Sequence, residues 1–298
     1  MTGLRRYRVR HETLYAYGGE VAHSHQLLHL TPRPLAHQAC TAQAIHLFPE
    51  PSIRREGVDA FGNPVLRLEY DRPHDRLEVI AEATVTLATP EPADPAGSLP
   101  WEEVCRALDY SGQPLPADLL DAARYRGESP YVRIKQRFGE YAADDLQPGV
   151  PLAEGALALM RRVHREFSYA PGTTDVSTSV VDAFEARRGV CQDFAHVMLA
   201  CLRSHGIAAR YVSGYLRTRP AAGADPGLVG ADASHAWVSV FCPPLGWLDF
   251  DPTNDVRAGG DHITVAWGRD FGDVSPLRGV IVGGGRHSLR VRVSVRPD

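Results

Sequence analysis

Residues 189–196 read GVCQDFAH, and an apolar run follows them. The apolar positions recur at the spacing of one helical face: Phe194, Val197, Met198, Cys201 and Leu202. This pattern predicts a buried helix that begins at Val190 or Cys191 and ends at His205-Gly206. A thiol in the first turn of a helix lies near unpaired backbone N–H groups, which favour the nucleophilic thiolate. Cys191 is therefore the candidate nucleophile.

The other four cysteines lack this context. Cys201 lies on the apolar stripe of the predicted helix, and Cys40 and Cys242 lie at the ends of predicted strands among apolar residues. Cys105 has no distinguishing neighbours. The five cysteines are scattered, odd in number and without a CxxC pair. We therefore expect neither a disulfide framework nor a structural zinc site.

A base for the thiol is more plausible in a distant strand than in the same helix. His196 follows Cys191 by five residues, which places it roughly 140° away around a helix axis. His235 lies in a predicted strand, residues 234–242, and shares one face with Trp237 and Ser239. The other face of this strand is apolar, so we predict that His235 and Trp237 line a cleft.

The third member of a triad would orient the imidazole and stabilise its charged form. The next predicted strand, residues 246–251, carries Asp249 and Asp251 on one face. A tight turn at residues 243–246 would pair this strand with that of His235. Strand pairing alone does not choose between the two aspartates.

Polar and apolar residues alternate in the first part of the chain, at residues 7–17 and again at 77–87. Further strands are predicted at 23–30, 40–48 and 65–70, which together indicate an antiparallel β-sandwich over residues 1–95. A segment rich in proline and glycine, residues 89–97, marks the boundary to an α+β core over residues 96–275. Within it, we expect a short helix to end at 187–189 with Gly189 as its left-handed residue. Residues 276–298 predict a final strand that could pair with the N-terminal domain.

Composition limits the function further. Of 298 residues, 44% are hydrophobic and 23% are charged, with a formal net charge of −4. These values are typical of a globular protein and give no electrostatic reason to expect a nucleic-acid or anionic-membrane partner. There is no apolar run long enough for a membrane helix and no secretory signal pattern at the start. We expect a cytoplasmic protein that uses no cofactor or metal.

Four blocks of sequence resemble the core of bacterial transglutaminase-like proteins. They are RGVCQDFA at 188–195, GIAARYVSGY at 206–215, HAW at 235–237 and GWLDFDPTN at 246–254. The first 90 residues, with RHET at 10–13 and FGN at 61–63, are similar to the β-rich domain that precedes that core. The resemblance implies a papain-like fold, in which the helix with the cysteine packs on an antiparallel sheet. It also implies Cys191 as nucleophile, His235 as base and Asp251 as the third member.

The resemblance is less complete at the site that would stabilise an oxyanion. Animal transglutaminases use a tryptophan upstream of the cysteine, whereas residues 175–179 here read DVSTS. The backbone N–H of Cys191 is one available donor. Gln192, Tyr169 and Trp237 are candidate side chains for this role or for support around the triad. No calcium-binding pattern is present in the sequence.

These observations predict a cysteine-dependent amide or peptide-bond hydrolase or acyltransferase that forms a thioester with a peptide or amide substrate. Hydrolysis is favoured because nothing in the sequence would exclude water from the thioester. The alternatives are a protein-glutamine transglutaminase, a non-catalytic binding or scaffold protein, and a metal enzyme that uses His235, Asp249 and Asp251. The segment 218–233, just before His235, is expected to border the cleft.

Overall fold

In the computed structural model, which describes residues 3–89, 91–217 and 234–298, strands occupy both ends of the chain and helices its middle. The strands are β1 (Leu4–Leu28), β2 (Gln38–Phe48), β3 (Ile53–Val58), β4 (Pro64–Tyr70), β5 (His74–Ala88), β6 (Ser168–Tyr169), β7 (Arg188–Gly189), β8 (Ala209–Leu216), β9 (Ser234–Phe241), β10 (Trp247–Asp251), β11 (Val256–Arg257), β12 (His262–Gly268), β13 (Leu277–Gly283) and β14 (His287–Pro297). The α-helices are α1 (Trp101–Ala107), α2 (Ala117–Ala123), α3 (Gln136–Ala142), α4 (Leu152–Glu166), α5 (Val180–Ala186), α6 (Cys191–Ser204) and α7 (Phe271–Val274).

The first sheet is built around the 25-residue strand β1. Its strand order is β2-β5-β1-β4-β3, and β13 and β14 also pair with β1, all antiparallel. The sequence predicted two strands here, but β1 continues through Gly18 and Gly19, with an irregular register between Ala16 and Val21. The N–H of Gly18 donates to the carbonyl of Arg286 at 2.7 Å, and a Cβ at Gly18 would crowd that same carbonyl. The absence of a side chain therefore lets the strand continue along the C-terminal segment.

The second sheet has the order β11-β10-β9-β8-β12, and its pairs are antiparallel. Helix α6 packs on β8 and β9, with Phe194, Val197 and Met198 fully buried. This arrangement confirms the predicted α+β fold. One apolar cluster joins α6 to Tyr7 and Val9 of the first sheet, so the two sheets share a core. The sequence patterns did not predict β3 or β12.

Two side-chain amides of the N-terminal region complete the edge of β12. The Gln38 amide donates to the carbonyl of Thr264 at 2.7 Å and accepts from its N–H at 2.8 Å. The Asn63 amide makes the same pair of bonds with Trp267, at 2.8 and 2.9 Å. Each amide therefore replaces one residue of a neighbouring strand, and both satisfy backbone groups that an edge strand leaves unpaired.

The residue that ends α5 in the left-handed conformation is Arg187, with φ 51°, and not Gly189 as predicted. Its guanidinium lies over the rings of Phe184, Tyr141 and Phe167, with Cζ 4.2, 4.5 and 4.9 Å from their centroids. These cation–π contacts offset the strain of a side chain in this conformation. Within the residues that the structure describes, no helix is long and apolar enough to cross a membrane.

Candidate active site

Cys191 is the first residue of α6 and is partly accessible. Asp193, in the same first turn, accepts the backbone N–H of Val190 at 2.8 Å and the hydroxyl of Thr174 at 2.7 Å. This carboxylate fixes the entry into the helix in the manner of a capping box. Gly189 is required here because a Cβ at this position would collide with the Asp193 side chain. The turn therefore holds the thiol at the helix start, as the sequence predicted.

His235 and Asp251 are joined by a short hydrogen bond. Their side chains lie on the neighbouring strands β9 and β10, and Nε2 of His235 donates to Oδ2 of Asp251 at 2.7 Å. The Sγ atom of Cys191 lies 4.0 Å from the carbonyl of Ser234, next to the imidazole. Because Nε2 faces the carboxylate, Nδ1 is the ring nitrogen left for the thiol. The structure thus brings together the three residues that the resemblance assigned.

Asp251 is completely buried and saturated with donors. Its Oδ1 accepts the backbone N–H groups of Thr253 and Asn254, at 3.0 and 3.3 Å. Its Oδ2 accepts Nδ2 of Asn254 at 2.7 Å and Nε2 of His262 at 3.1 Å, besides the bond from His235. This set of donors holds the carboxylate in one orientation and keeps it ionised.

His262 and Asn254 are members of the site that the sequence analysis missed. Asn254 follows Asp251 in the block that carries the resemblance, and His262 begins the apolar strand β12. A histidine that opens an otherwise apolar strand is a signal that could have drawn attention to it. The contact of His262 with Asp251 could not be predicted, because β9 and β8 lie between β10 and β12 in the second sheet.

The electrostatics of the pair follow from burial and from these contacts. Burial opposes the charged form of His235, but the hydrogen bonds and charges of Asp251 and Cys191 outweigh it and raise the pKa to about 10. Burial also opposes ionisation of Asp251, but the bonds from His235 and His262 hold its pKa below the ordinary range. His235 is therefore a cation at neutral pH, able to give a proton to a leaving group.

Asp249 has a different role from Asp251. Its Oδ2 accepts the indole N–H of Trp237 at 3.0 Å. Trp237 itself is fully buried, so the prediction that it lines a cleft is wrong. The indole fits beneath Gly214 of β8, where any Cβ would collide with the ring. Its N–H is engaged and does not point to the thiol, so Trp237 supports the sheet behind His235.

The candidate donors for an oxyanion differ in their position and in their accessibility. The short pairing of β6 with β7 brings Tyr169 beside Cys191, and Tyr169 is 56% exposed. Burial of part of the ring and the charge of Cys191 raise the pKa of Tyr169, so its phenol remains a donor. Gln192 follows Cys191 in the first turn and is partly accessible. The backbone N–H of Cys191 donates to no acceptor among the described residues. The segment 218–233, predicted to border the cleft, lies outside the described residues.

His196 is not a base for the thiol, in agreement with its position on the helix. It is fully buried, and its Nε2 accepts the backbone N–H of Phe271 at 3.2 Å. Its ring stacks on Tyr131, with centroids 5.7 Å apart. Burial lowers its pKa to about 3, so the imidazole is neutral and joins α6 to the start of α7.

The ligand atoms of His235, Asp251 and His262 lie within 4.8 Å of one another, a spacing that could hold a metal ion. Asp249, which the metal hypothesis included, is not part of this group. Nδ1 of His262 accepts the backbone N–H of Gly259 at 3.3 Å, so its Nε2 carries the proton given to Asp251. Both imidazoles thus face the same carboxylate oxygen as donors, and a metal ion would have to displace both protons. The donor set fits a hydrogen-bonded triad better than a metal centre.

Comparisons with known proteins identify the family of this chain. The profile of the transglutaminase-like superfamily matches residues 140–252, which include Cys191, His235 and Asp251. The profile of the bacterial transglutaminase-like N-terminal region matches residues 7–86. A protein-glutamine gamma-glutamyltransferase of Pseudomonas aeruginosa is 36% identical over 118 residues, which is 38% of this chain and 18% of that protein.

Longer matches cover the whole chain. An uncharacterized protein of Mycobacterium tuberculosis is 37% identical over 313 residues, which span 100% of this chain and 94% of that protein. One from Mycobacterium leprae is 33% identical over 292 residues, with 97% and 98% covered. A solved structure described as a proposed cysteine protease of Cytophaga hutchinsonii has the same fold, with a TM-score of 0.74, 18% identity, and 99% and 91% of the two chains covered. The chain belongs to the transglutaminase-like superfamily.

Proposed function

We propose that the protein is a cysteine-dependent amide or peptide hydrolase that acts through a thioester on Cys191. The observation that carries this proposal is the 2.7 Å hydrogen bond between His235 and Asp251, with the imidazole beside a thiol at the start of a helix. Nucleophile, acid–base group and orienting carboxylate thus occur in the arrangement that covalent amide cleavage requires.

The reaction begins when the thiolate sulfur of Cys191 attacks the carbonyl carbon of the amide. The backbone N–H of Cys191, with Tyr169 or Gln192 beside it, stabilises the negative charge on the carbonyl oxygen. The C–N bond then breaks, and the leaving amine takes the proton from Nδ1 of His235. A C–S bond to the acyl group remains as the thioester.

Release of the acyl group needs a second nucleophile. In hydrolysis, a water molecule gives a proton to Nδ1 of His235 as its oxygen attacks the thioester, and the C–S bond breaks. The products are a carboxylic acid, which ionises in water, and the Cys191 thiolate beside the protonated His235. The partial accessibility of Cys191 and the exposure of Tyr169 beside it support access of water to the thioester.

Protein-glutamine transglutaminase is the second candidate. Its support is the similarity to the gamma-glutamyltransferase of Pseudomonas aeruginosa, which covers 38% of this chain. In that activity a primary amine, instead of water, attacks the same thioester. The first half of the reaction and the roles of the three residues stay the same.

The test is to incubate the purified chain with a glutamine-containing peptide library, with and without excess primary amine, and to analyse protein and products by mass spectrometry. We expect an acyl adduct on Cys191 and its loss in Cys191→Ala. Free acids as the main products, even in excess amine, support hydrolysis, whereas amine incorporation supports the transglutaminase. If no adduct forms on Cys191 with any peptide, the catalytic proposal is wrong, and a binding role is favoured.

A further inference from the structure

Arg210 on β8 carries a buried charge and has no hydrogen-bonding partner among the residues that the structure describes. Its side chain lies between two indoles, with Cζ 4.0 Å from the ring centroid of Trp247 and 3.6 Å from that of Trp267. The residue is 6% exposed, and its guanidinium has no hydrogen-bond acceptor among the described residues. Burial lowers its pKa to about 10, so it remains charged at neutral pH. Its Nε in particular is buried without an acceptor, which is costly because this N–H has lost its water.

A second buried arginine, Arg203, differs from Arg210 in that its guanidinium has acceptors. Arg203 is also almost fully buried, but it donates to the carbonyl of Ala209 at 2.8 Å and to that of Arg269 at 2.6 Å. These bonds give it a structural role. The charge of Asp249 favours the charged form of Arg210, but the hydrogen bond of the Asp249 carboxylate goes to the indole N–H of Trp237. The donors of Arg210 are thus left for a group that is not part of the described chain.

The guanidinium borders a cavity of about 590 Å³ between the two sheets. Its walls include the end of β5 with residues 89 and 91–93, strands β10 and β12, and Arg257 of β11. His262 is one of the β12 residues. This volume suits a small organic molecule or the end of a peptide. Neither Cys191 nor His235 belongs to the described lining, so the cavity is distinct from the cleft of the thiol.

The shape of the Arg210 environment selects the ligand. Since both faces of the guanidinium are covered by indoles, a ligand can meet it only in its plane, where a planar carboxylate accepts two parallel N–H bonds. Arg257 adds a second positive charge, whereas Asp249 and Glu91 in the same walls disfavour ions of higher negative charge. We propose that this cavity is a binding site for a single carboxylate group, carried by a small organic acid or by the C-terminus of a peptide.

The site has a physical connection to the triad. His262 lines the cavity and donates a hydrogen bond to Asp251. A bound ligand would therefore contact the histidine that helps to orient Asp251. The proposal itself concerns binding and goes beyond the proposed function. It holds or fails independently of catalysis by Cys191.

Tryptophan fluorescence provides the test, because two of the four tryptophans, Trp247 and Trp267, form the walls. The full chain is titrated at constant ionic strength with acetate, glutarate, and short alanine peptides with a free or an amidated C-terminus. We expect a saturable change with carboxylate ligands and none with the amidated peptide. Response to the organic acids alone identifies a small-acid site, and response to the free peptide identifies a peptide-terminus site.

The variants make the assignment specific. Arg210→Gln should weaken binding about tenfold or more, since it removes a charge-assisted bidentate contact. Ala258→Phe fills the cavity without changing a charge and should also abolish binding, which covers the case that Arg210→Gln does not fold. Arg124→Gln, at an exposed arginine outside the cavity, and Cys191→Ala should bind as the natural chain does.

Three results would overturn the proposal: no saturable response to any carboxylate, equal binding of sulfate, or unchanged binding in Ala258→Phe. Binding that is lost in Cys191→Ala would also overturn it, because the response would then come from the thiol site. A failure of peptide cleavage leaves these measurements unaffected, so the two proposals fail separately.

Discussion

His262 and Asp251 are joined by a hydrogen bond of 3.1 Å from Nε2 to Oδ2, which makes this carboxylate oxygen the acceptor of two imidazoles. Loss of one donor should loosen the orientation of Asp251 and, through it, of His235. We predict that His262→Phe lowers kcat about tenfold or more and leaves KM nearly unchanged, because a hydrogen bond to a charged group is lost away from the substrate. The measurement is the steady-state hydrolysis of p-nitrophenyl acetate, an activated ester that acylates thiols.

His262→Gln is the matched control, because its amide retains an N–H donor. It should recover part of the lost kcat. Equal values of kcat in the natural chain and in His262→Phe would show that His262 does not position the triad.

Asp251→Asn should lower the pKa of His235 from its value of about 10, because the amide provides no negative charge. NMR titration of the His235 ring protons measures this directly.

The pKa of about 10 lies above that of an unfolded histidine, which is near 6.5. The protonated His235 therefore adds stability that is complete below pH 6.5 and lost as the pH rises through 10. Unfolding by urea at pH 7 and pH 10.5 should therefore show a larger difference in the natural chain than in Asp251→Asn. Identical titration curves would contradict the assignment.

Iodoacetamide at neutral pH should alkylate Cys191 first. Cys201 and Cys242 are fully buried, and burial raises the pKa of Cys105 to about 11 and also raises that of Cys40. Peptide mapping by mass spectrometry, with Cys40→Ala as control for the other partly exposed cysteine, gives the order of reaction. Alkylation of Cys40 at the same rate as Cys191 would speak against an activated thiol.

Gly189→Ala should destabilise the start of α6, since the new Cβ would displace Asp193 from the N–H of Val190. Loss of a helix cap costs about 1 kcal/mol, and the crowding adds to it. We expect a lower midpoint of thermal unfolding and slower acylation by p-nitrophenyl acetate. Gly127→Ala, where a Cβ meets no atom within 4 Å, is the matched control and should change neither. Normal acylation in Gly189→Ala would separate the cap from the function of the thiol.

His11 should make the protein sensitive to acid. It is buried between the hydroxyls of Tyr215 and Thr13, and burial lowers its pKa to about 4. The unfolded chain therefore binds a proton between pH 6.5 and 4 that the folded chain does not, which costs about 3 kcal/mol of stability as the pH falls through this range. Urea unfolding at pH 7 and pH 4.5 should show a smaller loss in His11→Gln than in the natural chain. An unchanged loss would place the acid sensitivity elsewhere.

The sequence predicted the features of the fold that depend on local pattern. The apolar face from Phe194 to Leu202 was enough to predict α6, whose first residue, Cys191, is one of the two starts predicted. The pairing of β9 with β10 followed from two short runs joined by a tight turn. The choice of Asp251 over Asp249 needed the resemblance, because both carboxylates lie on the same strand.

Features that depend on contacts between distant residues could not be predicted from a local sequence pattern. Arg187 takes the left-handed conformation because rings from α3, α4 and α5 surround its guanidinium. The hydrogen bond of His262 with Asp251 joins β12 to β10, two strands that are not neighbours in the second sheet, so strand pairing could not predict it. Trp237 is buried because Gly214, on another strand, leaves space for it.

The amides of Gln38 and Asn63 imply a cost for separating the two parts of the chain. Without them, the backbone groups of Thr264 and Trp267 would face water at an open strand edge, where a second molecule could add its own strand. A fragment with only the catalytic region would therefore tend to self-associate, even if each of its strands formed correctly. By covering this edge, the N-terminal region should oppose such association.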